Sequence, residues 1–252
     1  MTIANRAGIL LLGVTLYSCA PVRVAPTAPS PAAVAAGSVV LPIDYDSTRA
    51  YPVLVMLPAS NGTSDAMLRS YPNTDERVVV LSAGLGTTDD YRTNEIWEQT
   101  IERYERQLRA DLDLLAASHV DTSRVILAGF SMGGDLAWAL SVRNASRVKG
   151  AVVMGSRMSY RGPPGDAHDL LSRGLRISVV MGHDEDRTRM AGARAGVQLL
   201  ESLHVPHTFT ELPNLAHNRP PAEVFRQALS FVLEATPPGT PGRSGPAPAH
   251  RR

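Results

Sequence analysis

The chain has 252 residues, of which 44% are hydrophobic and 19% are charged, so it holds enough apolar material for one well-formed core. All 24 acidic residues lie between positions 38 and 235 with 20 of the 25 basic residues, which gives this central part a net charge of −4. A mildly acidic domain without a basic cluster is a poor binder of nucleic acid, and we exclude that class of partner.

The first 18 residues predict a secretory signal sequence. Arg6 precedes an apolar stretch, residues 9–17, which is too short to span a membrane. The one cysteine of the sequence, Cys19, follows in LYSC, which resembles the bacterial lipobox, where the cysteine is lipidated and becomes the new N-terminus. A lone cysteine cannot form an internal disulfide, so lipid attachment is favoured over a signal with a coincidental cysteine. We expect an exported lipoprotein of the bacterial cell envelope, held at a membrane through this lipid alone.

Two proline-rich segments flank the central part. Residues 19–37 and 236–252 hold nine of the 19 prolines among Ala, Gly, Ser and Arg, and they show no hydrophobic period. They predict a flexible linker, as an anchored domain needs, and a disordered tail. Residues 38–235 have the size of a single domain.

Short apolar runs alternate with helical patterns along this domain. The runs are continuous, which is typical of strands buried on both faces of a parallel sheet. They cover residues 53–57, 77–81, 125–128, 151–154 and 177–181. Helices are predicted over 95–117, 189–203 and 222–233, and an edge strand over 206–212. In the first helix, apolar residues recur at three- and four-residue steps and predict one buried stripe, in which Trp97 is expected in the core rather than in the pocket (Trp97, Ile101, Tyr104, Leu108, Leu112 and Leu115). The pattern predicts an α/β fold, with a mostly parallel sheet flanked by helices on both faces.

The stretch AGFSMGGD, residues 128–135, contains three glycines around one serine. It joins the apolar run VILAG to the helical pattern DLAWALSV, and strand, sharp turn and helix is the setting of a nucleophile elbow. Gly129 and Gly133 would let the strand and helix cross closely, while Ser131 presents its hydroxyl at the end of the strand. Asp135 lies in the first helical turn, where the favourable interaction of a carboxylate with the helix dipole is enough to explain an acidic residue. The pattern predicts that Ser131 is a nucleophile.

A serine nucleophile needs a base, and in this fold the chain order is serine, acid, histidine. Five histidines follow Ser131, and four of them fall in the expected acid loop, a helix end, a strand or the tail (His183, His204, His207 and His250). His217 remains, on a loop between a strand and the last helix, where a base can approach the serine.

The acid is expected on the loop MGHDEDRTRM, residues 181–190, because this loop follows the preceding predicted strand. Its three neighbouring carboxylates repel one another, so only one can face the imidazole. We favour Asp186, with Asp184 and Glu185 as the alternatives.

The motifs GFSMGG, VVMGHDED and LPNLAH resemble the α/β-hydrolase superfamily over residues 39–234, especially its small bacterial esterases of the carboxylesterase, phospholipase and dienelactone-hydrolase kind. The resemblance implies a serine hydrolase that cleaves carboxylic esters of small molecules through Ser131, His217 and Asp186, with an acyl-enzyme intermediate. Aligning DRTR with the end of the family's acid loop selects Asp186, whereas the usual spacing from Gly182 selects Glu185.

The same resemblance implies an oxyanion hole with two amide donors. One is the amide of Met132, directly after the nucleophile. The other comes from the loop after an early strand, which here has the sequence PASNG in place of the usual His-Gly pair. Pro58 has no amide proton, so the donor is expected at Ala59 or, preferably, at Ser60.

The sequence indicates no metal site and no organic cofactor. It lacks the ligand spacing of a zinc site, and GLGTTDD from Gly84 lacks the lysine of a phosphate-binding loop. Residues 156–174 are too short for a large cap domain, which predicts an open site. Met158 and Tyr160 in this segment are equally compatible with lining the pocket and with ordinary loop packing.

Two other functions fit these residues. The same triad would serve an acyltransferase or a peptidase. A non-catalytic, envelope-binding lipoprotein on this fold is the alternative from another class, and it predicts that a member of the triad is missing.

Overall fold

The computed structural model describes residues 39–42, 45–46, 48–72, 79–82, 86–115, 120–143, 147–160, 162 and 165–234. The predicted signal sequence, Cys19, the linker at 19–37 and the tail at 236–252 lie outside these residues. No helix in the described ranges combines the length and the apolar character needed to cross a membrane.

The described residues form a seven-stranded sheet with the strand order β1-β3-β2-β4-β5-β6-β7. The strands are β1 (Val39–Val40), β2 (Tyr51–Leu57), β3 (Val79–Ser82), β4 (Val120–Phe130), β5 (Val148–Met154), β6 (Arg176–Gly182) and β7 (His207–Leu212). Strand β1 runs antiparallel to β3, and all the other neighbours are parallel. The predicted, mostly parallel sheet is therefore confirmed.

Helices follow most of the strands, as parallel pairing requires. They are α1 (Ser64–Ser70), α2 (Asn94–Leu115), α3 (Met132–Val142), α4 (Ala167–Ser172), α5 (Arg187–Ser202) and α6 (Ala222–Leu233), and a 3-10 helix spans Thr88–Tyr91. The segment between β5 and β6 contributes only the short helix α4 to the described residues, and no large cap covers this part of the sheet.

Two hydrophobic cores lie on opposite faces of the sheet. Along β2, Val53, Val55 and Leu57 point into the first core, with α2, α3 and α5. Leu54 and Met56 point into the second core, with α1 and α6. Each central strand is apolar on both faces for this reason, and its sequence is continuous rather than alternating.

The sequence located the long elements well and missed the short ones. The stripe that begins at Trp97 and runs along α2 is buried in the first core, as predicted (Trp97, Ile101, Tyr104, Leu108, Leu112 and Leu115). Helices α1 and α4 span seven and six residues, too few to show an apolar period, and they were not predicted.

The parallel order brings several loops to one edge of the sheet. The carboxyl ends of β2, β4, β5, β6 and β7 all point the same way, so the chain that leaves each strand emerges at this edge. Ligand sites in open α/β sheets lie outside the carboxyl ends of the strands. The predicted nucleophile, acid and base all follow these strand ends.

Candidate active site

Ser131 lies in a sharp turn between β4 and α3. Its φ of 58° and ψ of −118° are in a region that residues other than glycine rarely adopt. A Cβ on Gly129 would collide with the backbone of Gly133, and a Cβ on Gly133 would lie 2.5 Å from the carbonyl oxygen of Leu57. The predicted need for glycine at both positions is confirmed, because strand and helix cross too closely for a side chain.

The hydroxyl of Ser131 is free of the usual capping role. Ser131 is the N-cap residue of α3, yet its side chain makes no hydrogen bond to the helix. Its backbone amide donates to the carbonyl oxygen of Met154 at 2.9 Å, which ties the turn to the end of β5. The hydroxyl oxygen lies 3.0 Å from Nε2 of His217. The structure therefore brings together the serine and the histidine selected from the sequence.

The loop that carries His217 lies directly against the loop after β6. A Cβ on Gly182 would collide with the carbonyl oxygen of Leu215 and would lie 2.6 Å from that of Ala216. The amide of Asp184 donates to the carbonyl oxygen of Leu215 at 3.0 Å. Because Gly182 has no side chain, the acid loop can lie close enough to the histidine loop for this backbone hydrogen bond to form.

Helix α1 holds the other flank of the histidine loop. The hydroxyl of Tyr71, directly after α1, donates to the carbonyl oxygen of Pro220 at 2.9 Å, and its ring stacks on Phe225 with 4.3 Å between centroids. Nη1 of Arg219 donates to the hydroxyl of Ser70 at 3.1 Å. No local sequence pattern indicates this support, because the partners are 149 positions apart.

Glu185 is the carboxylate that contacts the histidine. Nδ1 of His217 lies 2.9 Å from Oε1 of Glu185 and 3.1 Å from Oε2. The side chain of Glu185 is 1% exposed, whereas that of His217 is 38% exposed and stacks on Phe130 with 4.8 Å between ring centroids. Glu185, His217 and Ser131 therefore form one hydrogen-bonded chain that begins in the protein interior and ends at the surface.

The structure does not place Asp186, the acid favoured from the sequence, beside His217. Asp186 is the N-cap residue of α5, and its Oδ1 accepts a hydrogen bond from the amide of Arg189 at 2.8 Å. This bond holds the pKa of the Asp186 carboxyl below its usual value. The side chain is 58% exposed, and its hydrogen bonds and ion pairs join it to Arg189 rather than to the histidine. Asp184, the other alternative, is exposed as well.

Two signals in the sequence pointed to Glu185 as the partner of His217. An aspartate directly before a helical pattern is a common N-cap, and this role accounts for Asp186 without the triad. The usual spacing from Gly182 pointed to Glu185. The buried cation beside it, Arg189, was not singled out at all, although it contacts Oε2 of Glu185 through Nε at 3.2 Å.

The predicted oxyanion donors lie on two segments that the structure brings together. The amide of Met132 opens α3, and the first amides of a helix have no partner within it. The loop after β2 packs against this turn, since a Cβ on Gly133 would lie 2.9 Å from the carbonyl oxygen of Pro58. Ser60 belongs to this loop, in a turn closed by a 3.0 Å hydrogen bond from the amide of Gly62 to the carbonyl oxygen of Ala59. Which amide completes the hole remains a prediction.

Asp135 is part of a buried polar cluster, so the helix dipole alone does not account for it. Its carboxylate accepts hydrogen bonds from the hydroxyls of Tyr91 and Ser156, both at 2.6 Å. Burial and the nearby carboxylate raise the pKa of Tyr91, so this hydroxyl stays protonated and donates. The hydroxyl of Ser156 also accepts from the amide of Met158 at 2.9 Å. The cluster fixes the loop after β5 to the first turn of α3.

The remaining sequence candidates near the site belong to the core. Met158 is buried and contacts α5, where a Cβ on Gly196 would collide with its side chain. Tyr160 packs partly buried against the first core. Trp97 is buried and stacks on Tyr91 with 4.6 Å between ring centroids. Within the described ranges, no group of three or more His, Cys, Asp or Glu side chains could hold a metal ion.

Solved structures share this fold at low sequence identity. The fluorophosphonate-binding serine hydrolase F of Staphylococcus aureus, solved with substrate bound, is 12% identical with a TM-score of 0.56, over 79% of this chain and 92% of its own. The carboxylesterase of Bacillus cereus is 18% identical with a TM-score of 0.55, over 77% and 92%. Dipeptidyl peptidase 4 of Porphyromonas gingivalis is 17% identical with a TM-score of 0.55, over 78% and 33%, so this chain spans about a third of it.

At these identities the structural likeness shows the fold alone, and the family follows from the sequence. A comparison with curated proteins gives no match. The family model described as phospholipase/carboxylesterase matches residues 83–234, which is more than half of the chain and includes Ser131, Glu185 and His217. The chain belongs to the phospholipase/carboxylesterase family and has the α/β-hydrolase fold.

Proposed function

We propose that the protein is a serine hydrolase that cleaves carboxylic esters, with Ser131 as nucleophile, His217 as general base and Glu185 as the acid of the triad. The observation that carries the proposal is the chain of hydrogen bonds from Glu185 through His217 to Ser131, at 2.9 Å and 3.0 Å. All three side chains are present in the described residues and hydrogen-bonded to one another, which favours catalysis over the non-catalytic alternative.

In the acylation step, Oγ of Ser131 attacks the ester carbonyl while Nε2 of His217 takes the hydroxyl proton. The carbonyl double bond opens to a tetrahedral oxyanion. His217 then returns the proton to the leaving alcohol as the carbon–oxygen bond to that alcohol breaks. Water repeats the sequence on the acyl-enzyme, releases the acid and restores the hydroxyl. Glu185 accepts a hydrogen bond from Nδ1 throughout and stabilises the imidazolium charge.

The oxyanion receives its hydrogen bonds from the amides of Met132 and Ser60. The amide of Met132 lies at the positive end of α3, where developing negative charge is stabilised. The close packing of the loop after β2 on the same turn supports the second donor from that loop. Removal of one such donor typically costs about a hundred- to a thousandfold in kcat.

The site is proposed to accept small esters or esters with an exposed acyl group. The support is the short segment between β5 and β6, which adds only α4 among the described residues. A series of p-nitrophenyl esters from acetate to palmitate measures this directly. We expect kcat/KM to be highest for the short acyl chains, and a maximum at palmitate would contradict the open site.

A fluorophosphonate probe tests the nucleophile. We expect the probe to label the native protein and to leave Ser131→Ala unlabelled, with loss of p-nitrophenyl acetate hydrolysis in the same variant. Ser123→Ala is the matched control, because Ser123 is an exposed serine near the amino end of β4 whose hydroxyl bonds Asp121. Persistent labelling of Ser131→Ala would assign the nucleophile elsewhere, and an unlabelled native protein would refute the proposed function.

We also propose that the enzyme is exported and tethered to a membrane of the bacterial cell envelope through a lipid on Cys19. The support comes from the sequence: a short apolar signal, LYSC at its end, and a proline-rich linker before the domain. In cells, the native protein is expected in the detergent phase and Cys19→Ser in the aqueous phase. Equal partitioning of both into detergent would refute the lipid anchor.

A further inference from the structure

Arg189 contacts the triad carboxylate at Oε2, an oxygen that also lies 3.1 Å from Nδ1 of His217. Nε of Arg189 lies 3.2 Å from Oε2 of Glu185, and Nδ1 of His217 lies 2.9 Å from Oε1. Both the carboxylate and the guanidinium are buried. One carboxylate therefore stands between an imidazole and a permanent positive charge.

The guanidinium is fixed by two further acceptors. Nη1 of Arg189 donates to the carbonyl oxygen of Gly155 at 3.1 Å, and Nε lies 3.3 Å from Oδ2 of Asp186. Gly155 has a φ of +51°, and a Cβ at this position would lie 3.2 Å from Oε1 of Glu185. The arginine thus joins the start of α5 to the loop after β5 and encloses the acid between them. A buried charge is stable only with such partners.

We propose that Arg189 is a positioning residue of the site: it fixes the Glu185 carboxylate and, through its charge, sets the pH above which the His217–Glu185 pair is in its reactive form. The inference rests on the proposed serine-hydrolase function. Arg189 does not touch the reacting atoms and acts through Glu185.

The reactive form of the pair has a neutral imidazole and an ionised carboxylate. Protonation of either group removes that form. A cation in contact with the carboxylate makes uptake of this proton less favourable. Arg189 therefore extends activity to lower pH, whichever of the two groups takes the proton.

Other charges face the same region and stay constant in the test. Arg157, on the loop after β5, acts electrostatically on Asp186. Arg157 and Asp135 also act on Tyr91, as Arg189 does. None of these side chains makes a hydrogen bond or ion pair with Glu185 among the described residues, so the change at Arg189 is the one that reaches the pair directly.

The test measures kcat/KM for p-nitrophenyl acetate against pH in Arg189→Met and Arg189→Gln, two neutral variants, and in Arg189→Lys, which keeps the charge. In both neutral variants we expect the half-maximum on the acid side to move up by about one pH unit. Arg189→Lys should keep the native half-maximum and lose activity only through poorer placement of the acid. Arg194→Met is the control, because it removes an exposed arginine of the same helix, α5, which pairs with Glu211 on β7.

A purely structural arginine would lower kcat at every pH and leave the half-maximum in place. Folded neutral variants with the native half-maximum would overturn the inference, as would Arg189→Lys shifting as far as Arg189→Met. Circular dichroism identifies the folded variants. Two different neutral substitutions are made so that the test does not depend on the folding of one variant.

A measurement without substrate separates this inference from the proposed function. The midpoint of the His217 ring-proton shift in an NMR titration should move to higher pH in the neutral variants, even in a protein that turns over no ester. A native protein that neither hydrolyses esters nor binds the fluorophosphonate would refute the function alone. An active native enzyme whose His217 midpoint is the same in all three variants would refute the role of Arg189 alone.

Discussion

Replacement of Glu185 by glutamine tests which carboxylate serves His217. Both oxygens of Glu185 face Nδ1 of His217, at 2.9 Å and 3.1 Å, and Oε2 also contacts the Arg189 guanidinium at 3.2 Å. Both partners are donors in the resting site. A glutamine offers one oxygen and one NH₂ group in the same space, so one of these donors must face another donor. The side chain is too buried for water to resolve the conflict.

The expected loss follows from these contacts. If the glutamine oxygen turns to Arg189, its NH₂ group faces Nδ1 and favours the tautomer that cannot accept the serine proton. If it turns to the histidine, the imidazolium still lacks its negative partner. An isosteric amide in place of a triad aspartate lowers kcat by about 10⁴ in a serine protease. We expect a fall of about 10³ to 10⁴ in kcat, or roughly 4–5.5 kcal/mol of activation free energy, with KM within about threefold.

Asp186→Asn is the matched control. Asparagine is as good an N-cap as aspartate, so α5 keeps its start. The variant loses the ion pair between the exposed Asp186 carboxylate and the buried Arg189 guanidinium, and we expect a contribution of about 1 kcal/mol because solvent screens the carboxylate. We expect kcat within about threefold of the native value.

Stopped-flow hydrolysis of p-nitrophenyl acetate, with active sites counted by the fluorophosphonate, gives kcat for both variants on the same scale. An active Glu185→Gln enzyme beside an inactive Asp186→Asn enzyme would refute the assignment of the acid. Loss of activity in both, with both folded, would show that the two carboxylates act as one unit.

Three further predictions concern the parts that place the triad. Gly182→Ala should lower kcat at least about tenfold without loss of fold, because the new Cβ displaces the loop that carries His217; kinetics beside circular dichroism measure this, and native kcat would contradict it. Asp186→Ala should lower the free energy of unfolding by about 0.5–2 kcal/mol at pH 7 through loss of the cap. Since the hydrogen bond from the α5 backbone lowers the folded-state pKa of Asp186, this stabilisation is present above the unfolded pKa and is lost as pH falls through the folded one. Urea titrations at pH 7 and pH 3 should therefore show the deficit shrinking in acid. Tyr71→Phe should cost about 1–3 kcal/mol, because the buried carbonyl oxygen of Pro220 loses its donor; an unchanged urea midpoint would contradict this.

The sequence was informative wherever one local signal determines the structure. Gly129, Ser131 and Gly133 lie within five positions, and their need for a close strand–helix crossing is local chemistry. The long stripe on α2 repeats often enough to define its buried face. His217 was found by elimination among histidines whose local surroundings could be identified from the sequence.

The sequence failed where the deciding contacts are distant. Which of the three adjacent carboxylates meets the imidazole depends on the contact between Glu185 and His217, 32 positions apart. Arg189 is held by the carbonyl oxygen of Gly155, 34 positions away, and the support from Tyr71 to Pro220 crosses 149 positions. No pattern within a window of the sequence contains both partners of these contacts.

The support of the histidine loop by α1 means that the part of the chain needed to place the proposed triad is longer than the part that contains it. Ser70 and Tyr71 precede position 83, where the family match begins, and so does β2, the strand beside the elbow. A fragment cut to the matched residues would keep the three side chains of the proposed triad. It would lose β2, one of the two neighbours of β4, and the hydrogen bonds that join Ser70 and Tyr71 to the loop that carries His217. Boundaries for expression or domain grafting should therefore be drawn upstream of β2, because the described residues before position 83 contribute alignment and the proposed oxyanion donor Ser60.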